Sequence, residues 1–86
     1  GPFKRYYPNG RVELEGAAKN GKLEGLIKSY YKNGQLQSAG VYRNGKPDGL
    51  TQLYSEEGAL KAEAVYKDGK IEGAIKIYSE DKRLKP

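Results

Sequence analysis

Eighty-six residues, 36% of them apolar, with sixteen Lys and Arg against eleven Asp and Glu for a net charge of +5, make one small domain or a piece of a longer array, too lean for a thick two-layer core. The chain has neither Cys nor His, which removes disulfides, thiolate metal sites, imidazole ligation of zinc or haem, and imidazole acid–base chemistry. No apolar run approaches the roughly 20 residues of a membrane-spanning helix and no signal peptide is recognisable, while the lack of Cys leaves the compartment open between a cytosol and an envelope space.

Gly1-Pro2 has the look of a pair left by tag cleavage, so residues 1–5 read as that remnant with a leading strand. Pro8-Asn9-Gly10 is the first turn. Pro fixes φ and Gly accepts a left-handed position, the signature of a three-residue loop built on a type I turn. Val12 and Leu14 then alternate with Arg11, Glu13 and Glu15, a strand with one apolar side. A second turn follows at Asn20-Gly21, and Gly25 closes its stretch.

Both turns return every 24 residues. The first recurs as Asn33-Gly34 and Glu57-Gly58; the second recurs as Asn44-Gly45 with Gly49 and as Asp68-Gly69 with Gly73. Residues 6–29 and 30–53 share ten identities without a gap. Residues 30–53 and 54–77 share eight, where chance supplies about one or two. The chain therefore divides into three repeats, 6–29, 30–53 and 54–77, and a degenerate half-repeat or cap over 78–86. In that last piece Tyr78 and Leu84 hold their columns, Lys82 replaces the turn glycine and Pro86 stops the ladder.

Twelve Gly and four Pro recur too often for three turns of helix to fit between them, whereas strands of about six residues fit well. If both turns are three-residue loops, parity is kept from strand to strand and one row runs Tyr6, Val12, Tyr30, Leu36, Tyr54, Leu60, Tyr78, Leu84. Gly16, Leu26, Gly40, Leu50, Ala64 and Ala74 would form a neighbouring row in which small residues let the sheet curve. Tyr42 and Tyr66 share the even numbering of this Tyr/Leu face. On the odd face, Leu53, Val65, Ile75 and Ile77 make an apolar patch of the kind usually covered, whether by a folded-back tail, a second copy or residues beyond the chain.

The columns Tyr-x-Asn-Gly-x-Leu and Tyr-x-Asn-Gly-Lys-x-Asp-Gly, as in Tyr31-Lys32-Asn33-Gly34-Gln35-Leu36 and Tyr42-Arg43-Asn44-Gly45-Lys46-Pro47-Asp48-Gly49, resemble the variant type of MORN repeat found in many bacterial proteins. Some of these are classed as antitoxin components of toxin–antitoxin systems. The resemblance covers residues 6–84. It implies an all-β fold: a single-layer antiparallel meander of stacked β-hairpins, twisted, with a concave Tyr/Leu face that works by holding something. The chain has no Trp, unlike the eukaryotic MORN unit.

Chemistry is poorly supplied. Glu24, Asp48 and Glu72 beside Tyr42 and Tyr66 follow the repeat instead of breaking it, so they read as turn formers and not as an acid–base pair. No phosphate loop, calcium loop or other cofactor site is legible. Tyr rings among Lys28, Lys32, Arg43, Lys67 and Lys76 imitate a nucleic-acid stacking sheet. Acidic residues lie between those cations, no contiguous basic stripe emerges, and nucleic acid is set aside. The expectation is a non-enzymatic module for protein–protein interaction or scaffolding, binding a protein partner or another copy edge to edge or face to face. Its contacts are expected at Tyr30, Tyr42, Tyr54, Tyr66 and Tyr78 with Leu36, Leu50 and Leu60. The alternative is peripheral contact with anionic membrane lipid through Lys and Arg.

Overall fold

The computed structural model describes residues 1–78; the columns at Lys82, Leu84 and Pro86 lie outside them. Eight strands are present among the described residues: β1 Pro2–Tyr6, β2 Val12–Lys19, β3 Lys22–Leu23, β4 Gly25–Tyr30, β5 Leu36–Arg43, β6 Lys46–Tyr54, β7 Leu60–Lys67 and β8 Lys70–Ile77. They form one antiparallel sheet in the order β1-β2-β4-β5-β6-β7-β8, with the short β3 also paired to β2. Extents of 49 × 37 × 11 Å are those of a plate one layer thick. The all-β, single-layer meander expected from the repeat is what the chain forms.

The two turns are built differently. At Pro8-Asn9-Gly10 the Gly10 N–H donates to Tyr7 O (2.9 Å), the Tyr7 N–H donates to Arg11 O (2.8 Å), and Gly10 sits at φ +89°. This is the expected three-residue loop, and Gly34 and Gly58 repeat it at φ +93° and +94°. At the other end Asn20, Asn44 and Asp68 have φ of +52°, +54° and +52°, followed by glycines at +79°, +82° and +85°. Two successive positive φ values make a two-residue type I′ turn, which Asn-Gly and Asp-Gly favour. Lys19↔Lys22, Arg43↔Lys46 and Lys67↔Lys70 are the closing pairs. The expected three-residue loop at Asn20-Gly21-Lys22 is thus corrected, because Asn and Asp tolerate the left-handed region and no third residue is needed.

That correction changes the register. A two-residue loop pairs odd with even, and the strand bodies do so: Leu14↔Ser29, Glu15↔Lys28, Leu26↔Val41 and Leu50↔Val65. Val12 is therefore one residue out of step with Tyr30. Two bulges per repeat absorb the difference. Two extra residues fall around Glu24-Gly25, Asp48-Gly49 and Glu72-Gly73, where the glycines have φ of +89°, +124° and +82°. One extra residue, Glu13, Gln37 or Lys61, lies beside each three-residue loop, so that Tyr6↔Val12, Tyr30↔Leu36 and Tyr54↔Leu60 still pair.

Each hairpin is tied to the next. Tyr7 OH donates to Tyr30 O and Tyr31 OH donates to Tyr54 O (2.6 Å); Asn9 and Asn33 side-chain amides donate to Lys32 O (3.0 Å) and Glu56 O (2.9 Å). At the type I′ end, the Gly45 and Gly69 N–H groups donate to Leu23 O and Pro47 O (2.9 Å each). Core is nearly absent: Ile27, 7% exposed, is the one buried hydrophobic residue among those described. It fits because its neighbours Gly16 and Gly40 carry no side chains, and a Cβ built on Gly16 would overlap Ile27 Cδ1.

Candidate functional site

Because side chains alternate along a strand and opposed residues share a face, the pairing settles which residues meet. The front face carries the row Tyr6, Val12, Tyr30, Leu36, Tyr54, Leu60, with Tyr78 beyond it. Tyr30 and Tyr54 do share a surface. Inward from that row lies a polar one, Lys4↔Glu15↔Lys28↔Ala39↔Gln52↔Glu63↔Lys76. Next comes an aliphatic row with Leu26 opposite Val41 and Leu50 opposite Val65. The back face holds Phe3, Gly16, Ile27, Gly40, Thr51 and Ala64 in one row and Leu14, Ser29, Ser38, Leu53 and Ala62 in another.

Three expectations change on this map. Tyr42 and Tyr66 stand opposite Gly25 and Gly49 on the back face, so the tyrosines do not form one surface. The mixed row of Gly16, Leu26, Gly40 and Leu50 splits, with the glycines behind and the leucines in front. Val65 leaves the C-terminal apolar patch for the front face. The patch keeps Leu53, Ile75 and Ile77 and gains Tyr66, around an open hollow of about 270 Å³. Odd-to-even pairing is the common cause.

The polar row organises the tyrosines, a role that sequence reasoning missed. Tyr30 OH donates to Glu15 Oε2, and Tyr78 OH donates to Glu63 Oε1 at 2.8 Å, the same bond 48 residues on. In the middle repeat the acceptor column holds Ala39, and Tyr54 OH donates instead to Gln52 Oε1 (3.2 Å), whose amide donates to Glu63 Oε2 (3.1 Å). The signal was present as the 24-residue column Glu15, Ala39, Glu63. The bond to the Glu15 carboxylate, with burial and its negative charge, pushes the Tyr30 hydroxyl up to about 12. Glu63 raises Tyr78 in the same way and is itself held below the usual carboxylate range by the Tyr78 and Gln52 donors.

At the type I′ edge the register supplies a stripe that the linear sequence hides. Lys19, Lys22, Arg43, Lys46, Lys67 and Lys70 close the three turns in directly opposed pairs, all exposed and all on the front face. Two of the interspersed acids, Glu24 and Asp48, are engaged. Glu24 Oε1 accepts the Asn44 N–H (3.1 Å), Asp48 Oδ1 accepts the Asp68 N–H (3.4 Å), and Asp48 lies 3.8 Å from Arg43. A contiguous cation row therefore exists where none was expected. Among the described residues no cluster of three or more acidic side chains could hold a metal ion.

No curated protein and no solved structure matches the chain. The family described as MORN repeat variant matches residues 1–20, 23–44 and 47–68, three successive copies that run from β1 to β7. With most of its length matched in this way, the chain belongs to the MORN repeat variant family, whose members are in general repeat modules for binding or scaffolding.

Proposed function

We propose that the chain is a non-catalytic module that captures a protein partner, or another copy of itself, on the tyrosine row of the front face. The observation that carries this is the ratio of surface to core. Among the described residues one hydrophobic residue is buried, while Tyr6 and Tyr78 of the row and Leu26, Val41, Leu50, Leu53, Val65, Ile71, Ile75 and Ile77 elsewhere are exposed, and Tyr30, Leu36, Tyr54 and Leu60 are half-exposed. A soluble chain rarely keeps that much apolar surface without using it. Tyr30, Tyr54 and Tyr78, with Leu36 and Leu60 between them, are the contact residues of this reading. Their rings lie on a rigid sheet and their hydroxyls are already oriented by Glu15, Gln52 and Glu63. Tyr42 and Tyr66 stand on the back face, and Leu50 belongs to the aliphatic row of the front face, so none of the three is in the tyrosine row. An antitoxin-like role is the special case in which the captured partner is a toxin.

Tyr54→Ala tests the reading. It is expected to weaken partner capture at least about tenfold, as central aromatic contacts do, while lowering the melting temperature only slightly. Equal loss in pull-down and melting would reject a binding role for the row. The second reading, contact with anionic lipid, is favoured by the cation row and requires co-sedimentation with vesicles that falls steeply as salt is raised.

A further inference from the structure

The cation row and the aliphatic row beside it form one surface that the fold does not need. Like charges directly opposite one another destabilise a strand pair, yet each type I′ turn carries such a pair. Among the described residues only Arg43 of the six forms an ion pair. Immediately inward, Leu26, Val41, Leu50 and Val65 are 52, 38, 44 and 43% exposed. The two rows run across the strands in parallel, one cationic and one aliphatic.

Their spacing selects a ligand shape. Neighbouring strands lie about 4.8 Å apart, so the aliphatic side chains form rungs at about that interval. Same-side residues of an extended peptide are about 6.6–6.8 Å apart and fall out of step. The apolar stripe of an amphipathic helix recurs every three or four residues, about 5 Å at 1.5 Å per residue, and stays in step over four strands. We propose that this end of the front face docks an amphipathic helix of a protein partner, its aliphatic stripe on the Leu26, Val41, Leu50 and Val65 row and its acidic flank against the Lys and Arg row. A helix about 10 Å wide covers these two rows and stops there. The row beyond them mixes Lys4, Lys28 and Lys76 with Glu15 and Glu63, so a broad anionic surface finds no uniformly cationic face there, and vesicles test that alternative. The assignment rests on the binding-module reading but sets the contact at the opposite end of the strands from Tyr54.

The probe is a fluorescent synthetic helix of about 18 residues, five turns, with a Leu stripe flanked on one side by Glu. Beside it run the same helix with Lys for Glu, a poly-Glu peptide, and phosphatidylcholine vesicles with and without phosphatidylserine. The Glu-flanked helix is expected to bind and the Lys-flanked one to fail. Lys22→Glu with Lys46→Glu, and separately Leu50→Ser, should each weaken binding about tenfold or more, the scale of a few exposed ion pairs or one buried aliphatic side chain. Tyr54→Ala should leave it unchanged. Equal binding by poly-Glu, indifference to the charge reversal, or binding to phosphatidylserine vesicles without binding to the helix would each overturn the proposal. If a reversal variant loses its β-sheet circular dichroism, Lys22→Ala with Lys46→Ala is measured in its place. Capture of a natural partner that ignores Tyr54→Ala while the helix still binds would remove the tyrosine-row reading and leave this one standing.

Discussion

The contact between Gly16 and Ile27 can be dissected with two conservative substitutions. A Cβ at Gly16 would overlap Ile27 Cδ1, with Ile27 Cα and Leu26 O next at 3.4 Å each. Gly16 has no left-handed φ, so Gly16→Ala incurs no backbone strain and its cost comes from displacing that one methyl group. Overpacking of this kind costs about 1–3 kcal/mol. Ile27→Val removes the same methyl and costs about 0.5–1.5 kcal/mol. With total stability of order 0.1 kcal/mol per residue, either change is a sizeable fraction. Combined, the two should cost less than their sum by about 1 kcal/mol, because the valine vacates the space the alanine needs. Urea denaturation followed by circular dichroism reads all four corners of the cycle from the midpoint shifts. Additivity within about 0.5 kcal/mol would refute the claim that Ile27 is accommodated by the glycine beside it.

Three further outcomes follow from the ties between hairpins and the polar row. Tyr31→Phe deletes the donor to Tyr54 O and should cost about 1 kcal/mol, and Tyr7→Phe a similar amount, both read as a lower denaturation midpoint. Asn44→Gly should be nearly neutral and Asn44→Ala should cost about 1 kcal/mol, since residue 44 has φ +54°; equal melting temperatures for the two would contradict the type I′ geometry. In a spectrophotometric titration Tyr30 should ionise near 12 and Glu15→Gln should bring it back toward 10. The sign follows: a raised pKa means that the folded state favours the neutral phenol, so this contribution is complete below about pH 10 and is lost as pH rises from 10 toward 12. A Tyr30 that titrates at 10 in the intact chain would show that the Glu15 bond does not persist in solution.

Much of the architecture can be read from the chain alone because both turn signals are local. Pro8-Asn9-Gly10 and Asn20-Gly21 encode their conformations in three and two residues, and their recurrence every 24 residues leaves a meander as the outcome. Faces are harder to read, since they depend on counts of unpaired residues. One extra residue at Glu13, Gln37 or Lys61 and two around Glu24-Gly25 shift the parity, and no composition signal marks a bulge beyond the positive-φ glycine. For that reason Tyr42 and Tyr66 were expected in front and stand behind, and the cation row went unseen.

What the sequence determines by itself is the repeat, the turns and the row pairing Tyr6 with Val12, Tyr30 with Leu36 and Tyr54 with Leu60, all set within a few residues of a loop. What only the tertiary structure decides is which rows lie side by side: Glu15 under Tyr30, Ile27 between two glycines, and cations from three separate turns along one edge. Those neighbours come from different hairpins, and their juxtaposition is the sum of every loop length and bulge between them, a quantity that no single stretch of the chain contains.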